Sequence, residues 1–156
     1  MKINIDAAKK IQWLLVDDLL NGEGLFSPLS SVSHDDEDDW QFMVEMIYRL
    51  LVSGLTELFP DDILILSFNG IEDYCKELAK QSPFEDSVWN EPMAWGGPTI
   101  GLTQKCKLII DQYFDGKYWH TQDFILNIPF IECIEDIFAE CGVPWCEEEP
   151  LFPIAK

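Results

Sequence analysis

The segment of residues 40–58 constrains the fold of this chain more than any other part of the sequence. Apolar residues recur there at helical spacing and mark one face of a helix. That face consists of Trp40, Met43, Val44, Ile47, Leu51, Gly54, Leu55 and Leu58, and it is widened by Phe42, Met46, Tyr48 and Leu50. Only a narrow polar stripe remains, formed by Gln41, Glu45, Arg49, Ser53 and Glu57. Because a helix that is apolar on nearly all sides must be surrounded by other elements, we expect this one at the centre of the domain, ending at Pro60.

Five consecutive acidic residues lead into this helix. They are Asp35, Asp36, Glu37, Asp38 and Asp39. Carboxylates in the first turn of a helix are stabilised by the helix dipole. That effect accounts for one or two acidic residues at this position, and it does not account for five.

Helical periodicity and capping signals predict four further helices. We expect them over residues 6–20, with Asp6 as the N-cap, and over residues 70–81, 102–114 and 129–142. Pro129 suits the first turn of the last one. Gly116 is expected to cap the helix before it, with a hairpin turn at Asp115 and Gly116 as the alternative.

The remaining segments are less regular. Residues 63–68 fit either a short buried strand or a helical turn, and periodicity does not decide between them. Residues 82–101 are predicted to form a long loop, and residues 143–156 an extended, partly mobile tail. The sequence thus predicts a mainly α fold: a single compact domain over residues 1–156, with about five helices and room for one short strand or hairpin.

Charge is the strongest compositional signal. The 156 residues include 29 Asp and Glu against 10 Lys and Arg, a net charge of −19, while 47% hydrophobic residues provide material for a core. Contacts to phosphate groups need Lys and Arg, so we expect no nucleic-acid partner. An anionic membrane surface is disfavoured for the same reason. The acidity favours a basic protein partner, attracted at long range.

We expect neither a signal peptide nor a membrane span. Asp6 and two lysines interrupt the N-terminal region that would have to be apolar. No run approaches the roughly 18 apolar residues of a transmembrane helix. Five cysteines, an odd number, without a secretion signal favour reduced thiols and a cytoplasmic location.

No motif indicates catalysis or metal binding. The cysteines are separated by 31, 27, 8 and 5 residues, without the close pairs typical of structural zinc. Cys133 and Cys141 fit the buried side of the last helix. His34 and His120 lack a context that would activate a thiol. Residues 96–101 are rich in glycine, but they lack the Gly-Lys-Ser/Thr sequence that ends a phosphate-binding loop. We expect them to form a turn that leads into the fourth helix. We therefore expect no enzyme, no cofactor and no metal.

Two acidic patches remain as candidate partner-binding surfaces. The first consists of Asp35, Asp36, Glu37, Asp38 and Asp39 with Trp40. The second joins the acidic face of the last helix to the tail and consists of Glu132, Glu135, Asp136, Glu140, Trp145, Glu147, Glu148 and Glu149. In each patch, carboxylates can pair with Lys and Arg while a tryptophan supplies contact area. Burial on the apolar face of its own helix is the alternative for Trp40. Trp13 either packs on a neighbouring loop or serves as an exposed anchor.

Small acidic chains with reduced cysteines and no catalytic motif resemble bacterial immunity proteins, including those of contact-dependent growth inhibition systems. The segment WQFMVEMIYRLLVSGLTEL, residues 40–58, is similar to the core helix of such small helical proteins. The resemblance implies tight binding to a toxin domain by covering a basic active site.

The leading hypothesis is therefore an acidic inhibitor that occludes the active site of a basic, nuclease-like bacterial toxin. Its carboxylates would stand where phosphates bind. Three alternatives stay open: a nucleic-acid mimic that binds a basic host protein, a structural adaptor, and a small metal-dependent hydrolase.

Overall fold

The computed structural model describes residues 1–20, 25–32, 36–115 and 125–155. Over these ranges the protein is mainly α, as the sequence predicts. The order of elements is α1 (Ile5–Gln12) continuing as a π-helical segment (Trp13–Leu20), β1 (Leu25–Phe26), a 3-10 turn (Pro28–Ser31), α2 (Glu37–Val52), β2 (Thr56–Phe59), α3 (Ile63–Leu66), α4 (Ile71–Lys80), a 3-10 turn (Asp86–Trp89), β3 (Thr99–Leu102), α5 (Gln104–Phe114) and α6 (Ile128–Glu140). None of the helices in these ranges is long and apolar enough to cross a membrane.

Helix α2 lies at the centre of the core, as its apolar circumference predicts. Ten of its sixteen residues are buried, and it packs against α4 and β2. The helix begins after Asp36, whose carboxylate accepts hydrogen bonds from the backbone N–H groups of Asp38 and Asp39 at 3.0 and 3.2 Å. The acidic run before α2 therefore has one defined structural role, that of an N-cap.

The prediction that this helix continues to Pro60 is wrong. Helix α2 ends at Val52, and Gly54 adopts a positive φ of 72°, a conformation that glycine takes without steric cost. In β2, Thr56 and Leu58 are buried while Glu57 is exposed, which is the alternation of a strand. Leu55 and Leu58 suit a helical face and a buried strand equally well, so their spacing did not reveal the change.

Part of the glycine-rich segment predicted to be a turn forms a strand of a small antiparallel sheet. Strand β3 lies in the middle, between β1 and β2. Thr56 faces Leu102 and Phe59 faces Thr99 across β2 and β3, while Leu25 faces Gly101 across β1 and β3. The turn predicted over residues 96–101 is therefore wrong from Thr99 onward, because pairing on both sides holds that part extended.

The polar stripe of α2 is covered by the C-terminal segment of the chain. Arg49 is 1% exposed and Glu45 is 4% exposed, and their side chains form an ion pair with Nη1 and Oε1 3.1 Å apart. The Arg49 guanidinium also donates to the backbone carbonyls of Val143 and Pro144 at 3.0–3.2 Å. Glu45 and Arg49 of the stripe therefore face protein.

The tail after α6 runs without helix or strand along α2. The Glu45 carboxylate accepts the backbone N–H groups of Leu151 and Phe152 at 2.9 and 3.0 Å. The Phe152 ring is buried and packs edge-on against Tyr48, with centroids 4.6 Å apart. The tail thus forms one wall of the core.

The outer helices follow the prediction with local differences. Helix α1 is capped by Asn4, whose Oδ1 accepts the N–H of Ala7 at 2.8 Å, so the assignment of Asp6 as N-cap is wrong. Residues 63–66 form a helical turn, and α4, α5 and α6 lie where periodicity placed them. Asp115, with a φ of 52°, ends α5 in the left-handed conformation. The predicted cap at Gly116 lies outside the described residues.

We predict that Arg49→Ala lowers the free energy of unfolding by about 3–5 kcal/mol, because it leaves the Glu45 charge buried without its partner. Urea unfolding measures the loss. The control is Lys76→Ala, which removes an exposed pair with Glu72 and is expected to cost less than about 1 kcal/mol. Equal losses in the two variants would contradict the role given to the buried pair.

Candidate partner-binding surface

The structure divides the first acidic patch. Asp36, Glu37 and Asp38 are exposed at the start of α2, and Asp35 lies outside the described residues. Asp39 is buried and accepts a hydrogen bond from Lys10 Nζ at 2.8 Å. Because Asp39 is already paired inside the protein, a partner would meet fewer carboxylates at this patch than the sequence suggests.

Trp40 is buried and does not contribute to this surface. Its side chain is 3% exposed, and its indole N–H donates to the backbone carbonyl of Leu78 at 2.9 Å. The Phe84 ring packs edge-on against it. The apolar face of α2 thus takes Trp40 into the core, and the first patch loses the aromatic residue proposed for it.

The second patch has a continuous exposed row of carboxylates on α6. Glu132, Asp136 and Glu140 are exposed, and their spacing of four residues places them on one side of the helix. Between Ile128 and Ala155 the sequence has seven acidic residues and no Lys or Arg. The described part of α6 therefore offers negative charge without a neighbouring basic side chain in its own sequence.

The N-terminus of the chain joins this face, which sequence reasoning did not anticipate. The Met1 ammonium lies 3.9 Å from Glu132 Oε1, and the backbone N–H of Lys2 donates to Glu135 Oε2 at 2.8 Å. Glu135 is half-buried as a result. These contacts link residues more than 130 positions apart, so no local pattern could have indicated them.

A cavity of about 230 Å³ opens between the N-terminus and α6. Its lining includes Met1, Lys2, Glu132, Glu135, Asp136 and Trp145. The half-buried Trp145 packs against Phe42 with ring centroids 5.4 Å apart, and the Arg49 guanidinium lies 5.1 Å from its centroid. Trp145 therefore presents a fixed aromatic edge beside the carboxylates of α6.

The acidic run of the tail is anchored at Glu147. Its carboxylate accepts hydrogen bonds from the Asn4 side-chain amide, from the Asn4 backbone N–H and from the Trp145 indole N–H. The Asn4 amide is the main reason that the pKa of Glu147 lies below its usual value. Glu148 and Glu149 are exposed beside it. The structure thus brings the tail acids next to α1, and the N-terminus links them to α6.

Several basic side chains are held in pairs within the protein. The pairs are Lys10–Asp39, Arg49–Glu45, Lys76–Glu72 and Lys80–Glu77. Lys105 donates to the backbone carbonyl of Ser53. These pairings neutralise acids away from the carboxylate row of α6, where the cation described near the row is the Met1 ammonium beside Glu132.

Two of the cysteine thiols lie in the core, where burial makes them less acidic. Cys75 and Cys106 are buried, and burial raises the pKa of both thiols, that of Cys106 to about 12. Cys133 is half-buried, and Cys141 and Cys146 are exposed. The expectation that Cys141 lies on the buried side is wrong, because α6 ends one residue before it. His34 and His120 lie outside the described residues, and within the described ranges no His, Cys, Asp and Glu cluster has the geometry of a metal site.

Some large apolar side chains are exposed away from the acidic face. Trp13 is 47% exposed. Ile65 and Leu66 on α3 are 84% and 75% exposed. These side chains come from distant parts of the sequence.

Comparison with family models, with curated proteins and with solved structures finds no match to this chain.

We predict that Asn4→Asp raises the pKa of Glu147. Aspartate keeps the oxygen that caps α1, but it loses the amide that donates to Glu147 and adds a like charge beside it. An NMR titration of the side-chain carboxyl carbons measures the shift. Asn4→Ala should raise the same pKa and in addition lower the free energy of unfolding by about 1 kcal/mol through loss of the cap. An unchanged Glu147 titration in both variants would contradict the assigned hydrogen bond.

We also predict that the free energy of unfolding falls as pH rises above about 9. The folded state keeps the Cys106 thiol protonated because its pKa is raised from 9.0 to about 12, whereas the unfolded chain releases that proton near pH 9. The stabilisation is complete below the unfolded pKa and is lost as pH rises toward the folded one. Urea unfolding between pH 8 and 10.5 measures the slope. Cys106→Ala should reduce the slope and leave the contribution of Cys75, whose pKa is also raised by burial, whereas Cys146→Ala should not change it.

Proposed function

We propose that this protein is an acidic inhibitor of the immunity type that binds a basic, nuclease-like toxin domain and occludes its active site. The observation that carries the proposal is the row of exposed carboxylates on α6, flanked by Trp145, in a stretch without Lys or Arg. A net charge of −19 provides long-range attraction to a basic partner.

The row presents its carboxylates at a short and regular spacing. Glu132, Asp136 and Glu140 rise about 6 Å per step along the helix. Basic side chains that hold phosphates in a nuclease active site can pair with carboxylates presented in such a row. Charge-assisted hydrogen bonds from Arg and Lys to carboxylates are among the stronger polar contacts.

The α6 face is favoured over the start of α2 for two reasons. Asp39 and Trp40 at the start of α2 are buried, which leaves exposed carboxylates without the aromatic residue. On α6, by contrast, the Trp145 ring is fixed by Phe42 and Arg49 beside the acids. A rigid aromatic group among carboxylates provides both contact area and charge at low cost in conformational entropy.

The proposal is tested by capture followed by an activity assay. The immobilised protein is exposed at low salt to lysate of its native cell, and the retained proteins are eluted in a salt gradient and identified by mass. The expected result is a basic protein with nuclease activity that the free protein inhibits at one-to-one stoichiometry. A retained protein without nuclease activity, or a nuclease whose activity is unaffected, would contradict the inhibitor function.

We predict that the triple variant Glu132→Gln, Asp136→Asn and Glu140→Gln slows association with the captured partner by about tenfold at low salt. The change leaves side-chain size almost unchanged and removes three charges. Surface plasmon resonance at several salt concentrations measures the association rate and its salt dependence.

A matched control removes the same number of charges elsewhere. Glu57→Gln, Asp61→Asn and Asp62→Asn change exposed acids on β2 and before α3, so the net charge of the two triple variants is identical. If both variants slow association equally, net charge alone drives binding and the α6 face is not the binding surface.

A further inference from the structure

The tail is held on α2 mainly through its backbone. Glu45 accepts the N–H groups of Leu151 and Phe152. The Gln41 side chain donates to the Phe152 carbonyl at 2.9 Å and accepts the Ile154 N–H at 3.0 Å. The Ala79 carbonyl then accepts the Ala155 N–H at 2.8 Å. Such backbone contacts recognise an extended chain and depend little on the identity of most of its side chains.

Two side-chain requirements complete the recognition. Phe152 is buried against Tyr48, so the site takes an aromatic residue at this position. Residue 153 lies between two bonded positions and is a proline, which has no N–H to satisfy. Leu151 and Pro153 are themselves exposed. The sequence that fits is therefore an extended segment with an aromatic residue followed by proline and then an apolar residue.

Release of the tail need not unfold the helix beneath it. In the described segment from residue 146 to residue 155, Phe152 is the one buried residue. Glu45 keeps its ion pair with Arg49 when the tail leaves, and Arg49 stays bound to the carbonyls of Val143 and Pro144 upstream. The emptied site would thus hold a paired carboxylate.

Release of the tail would also open a cavity of about 720 Å³. Phe68, Ala79 and Pro92 line one side of it, and Leu151, Phe152 and Pro153 line the other. An incoming segment could therefore form the same backbone contacts, and the cavity beside them would provide space for its side chains.

We propose that Gln41, Glu45 and the Tyr48 ring form a binding site for an extended aromatic–proline–apolar segment of a partner protein, and that the chain's own tail fills this site until such a segment replaces it. The occupant is chosen because the tail itself shows which chemistry the site accepts. This inference does not rest on the acidic face of α6.

The test uses the full chain and a fluorescent peptide of residues 149–155. The wild-type protein should bind the peptide weakly, because its tethered tail competes at an effective concentration on the order of millimolar. Phe152→Ala weakens the tail and should increase peptide affinity at least tenfold. Leu151→Ala, which truncates an exposed neighbour and keeps its N–H, should change the affinity less than threefold.

Two further variants test the contacts themselves. In the Phe152→Ala protein, Gln41→Ala should lower peptide affinity at least fivefold, because both of its backbone contacts are lost. A peptide with alanine in place of the phenylalanine should bind at least tenfold more weakly than the original. A folded Phe152→Ala protein that binds neither peptide would overturn the proposal and leave the tail as a structural segment.

Hydrogen exchange on the wild-type protein tests, without any variant, whether the tail opens separately from α2. The amides of Leu151, Phe152, Ile154 and Ala155 should exchange at least a hundredfold faster than those of Val44 and Ile47 in α2, because the tail opens separately. Equal exchange rates in the two groups would overturn the proposal. Light scattering provides a last check. A concentration-dependent dimer that Phe152→Ala abolishes would show that two copies exchange their tails, and it would overturn the proposal of a partner segment.

Discussion

The buried ion pair between Glu45 and Arg49 organises much of this structure. Arg49 is the single arginine in a chain with 29 acidic residues, and its buried guanidinium donates hydrogen bonds to Glu45 and to two tail carbonyls. Glu45 in turn holds two backbone amides of the tail. A buried charge is tolerated only when it is paired and hydrogen-bonded. The carbonyls of Val143 and Pro144 supply those hydrogen bonds to Arg49, and Glu45 holds the later tail residues.

Internal ion pairs also determine where negative charge remains on the surface. Internal pairs engage Lys10, Lys76 and Lys80 as well as Arg49, so these cations each neutralise an acid away from α6. The carboxylates of α6 are left beside a tryptophan that the buried Arg49 helps to fix in place. One guanidinium thus stabilises the core and shapes the surface on which the proposed function depends.

Local patterns predicted the helices well, because a helix records its buried face at a fixed period. They were less reliable where an apolar spacing fits two structures, as with Leu55 and Leu58, which belong to a turn and a strand. They also placed Asp39 and Trp40 in a partner surface, although both are buried. Of the candidate site, the acids of α6 and the tail were identified from the sequence, whereas the participation of Met1, Lys2 and Asn4 was not.

The sequence by itself determined the mainly α fold, the central position of α2 and the strong negative charge, because these depend on composition and on periodicity within a segment. The tertiary structure alone decided which polar residues face the interior. Glu45 and Arg49 look like a solvated stripe until the tail, about 100 residues later, supplies the backbone groups that satisfy them. Burial of a charge depends on partners brought by distant parts of the chain, and a local pattern contains no record of those partners.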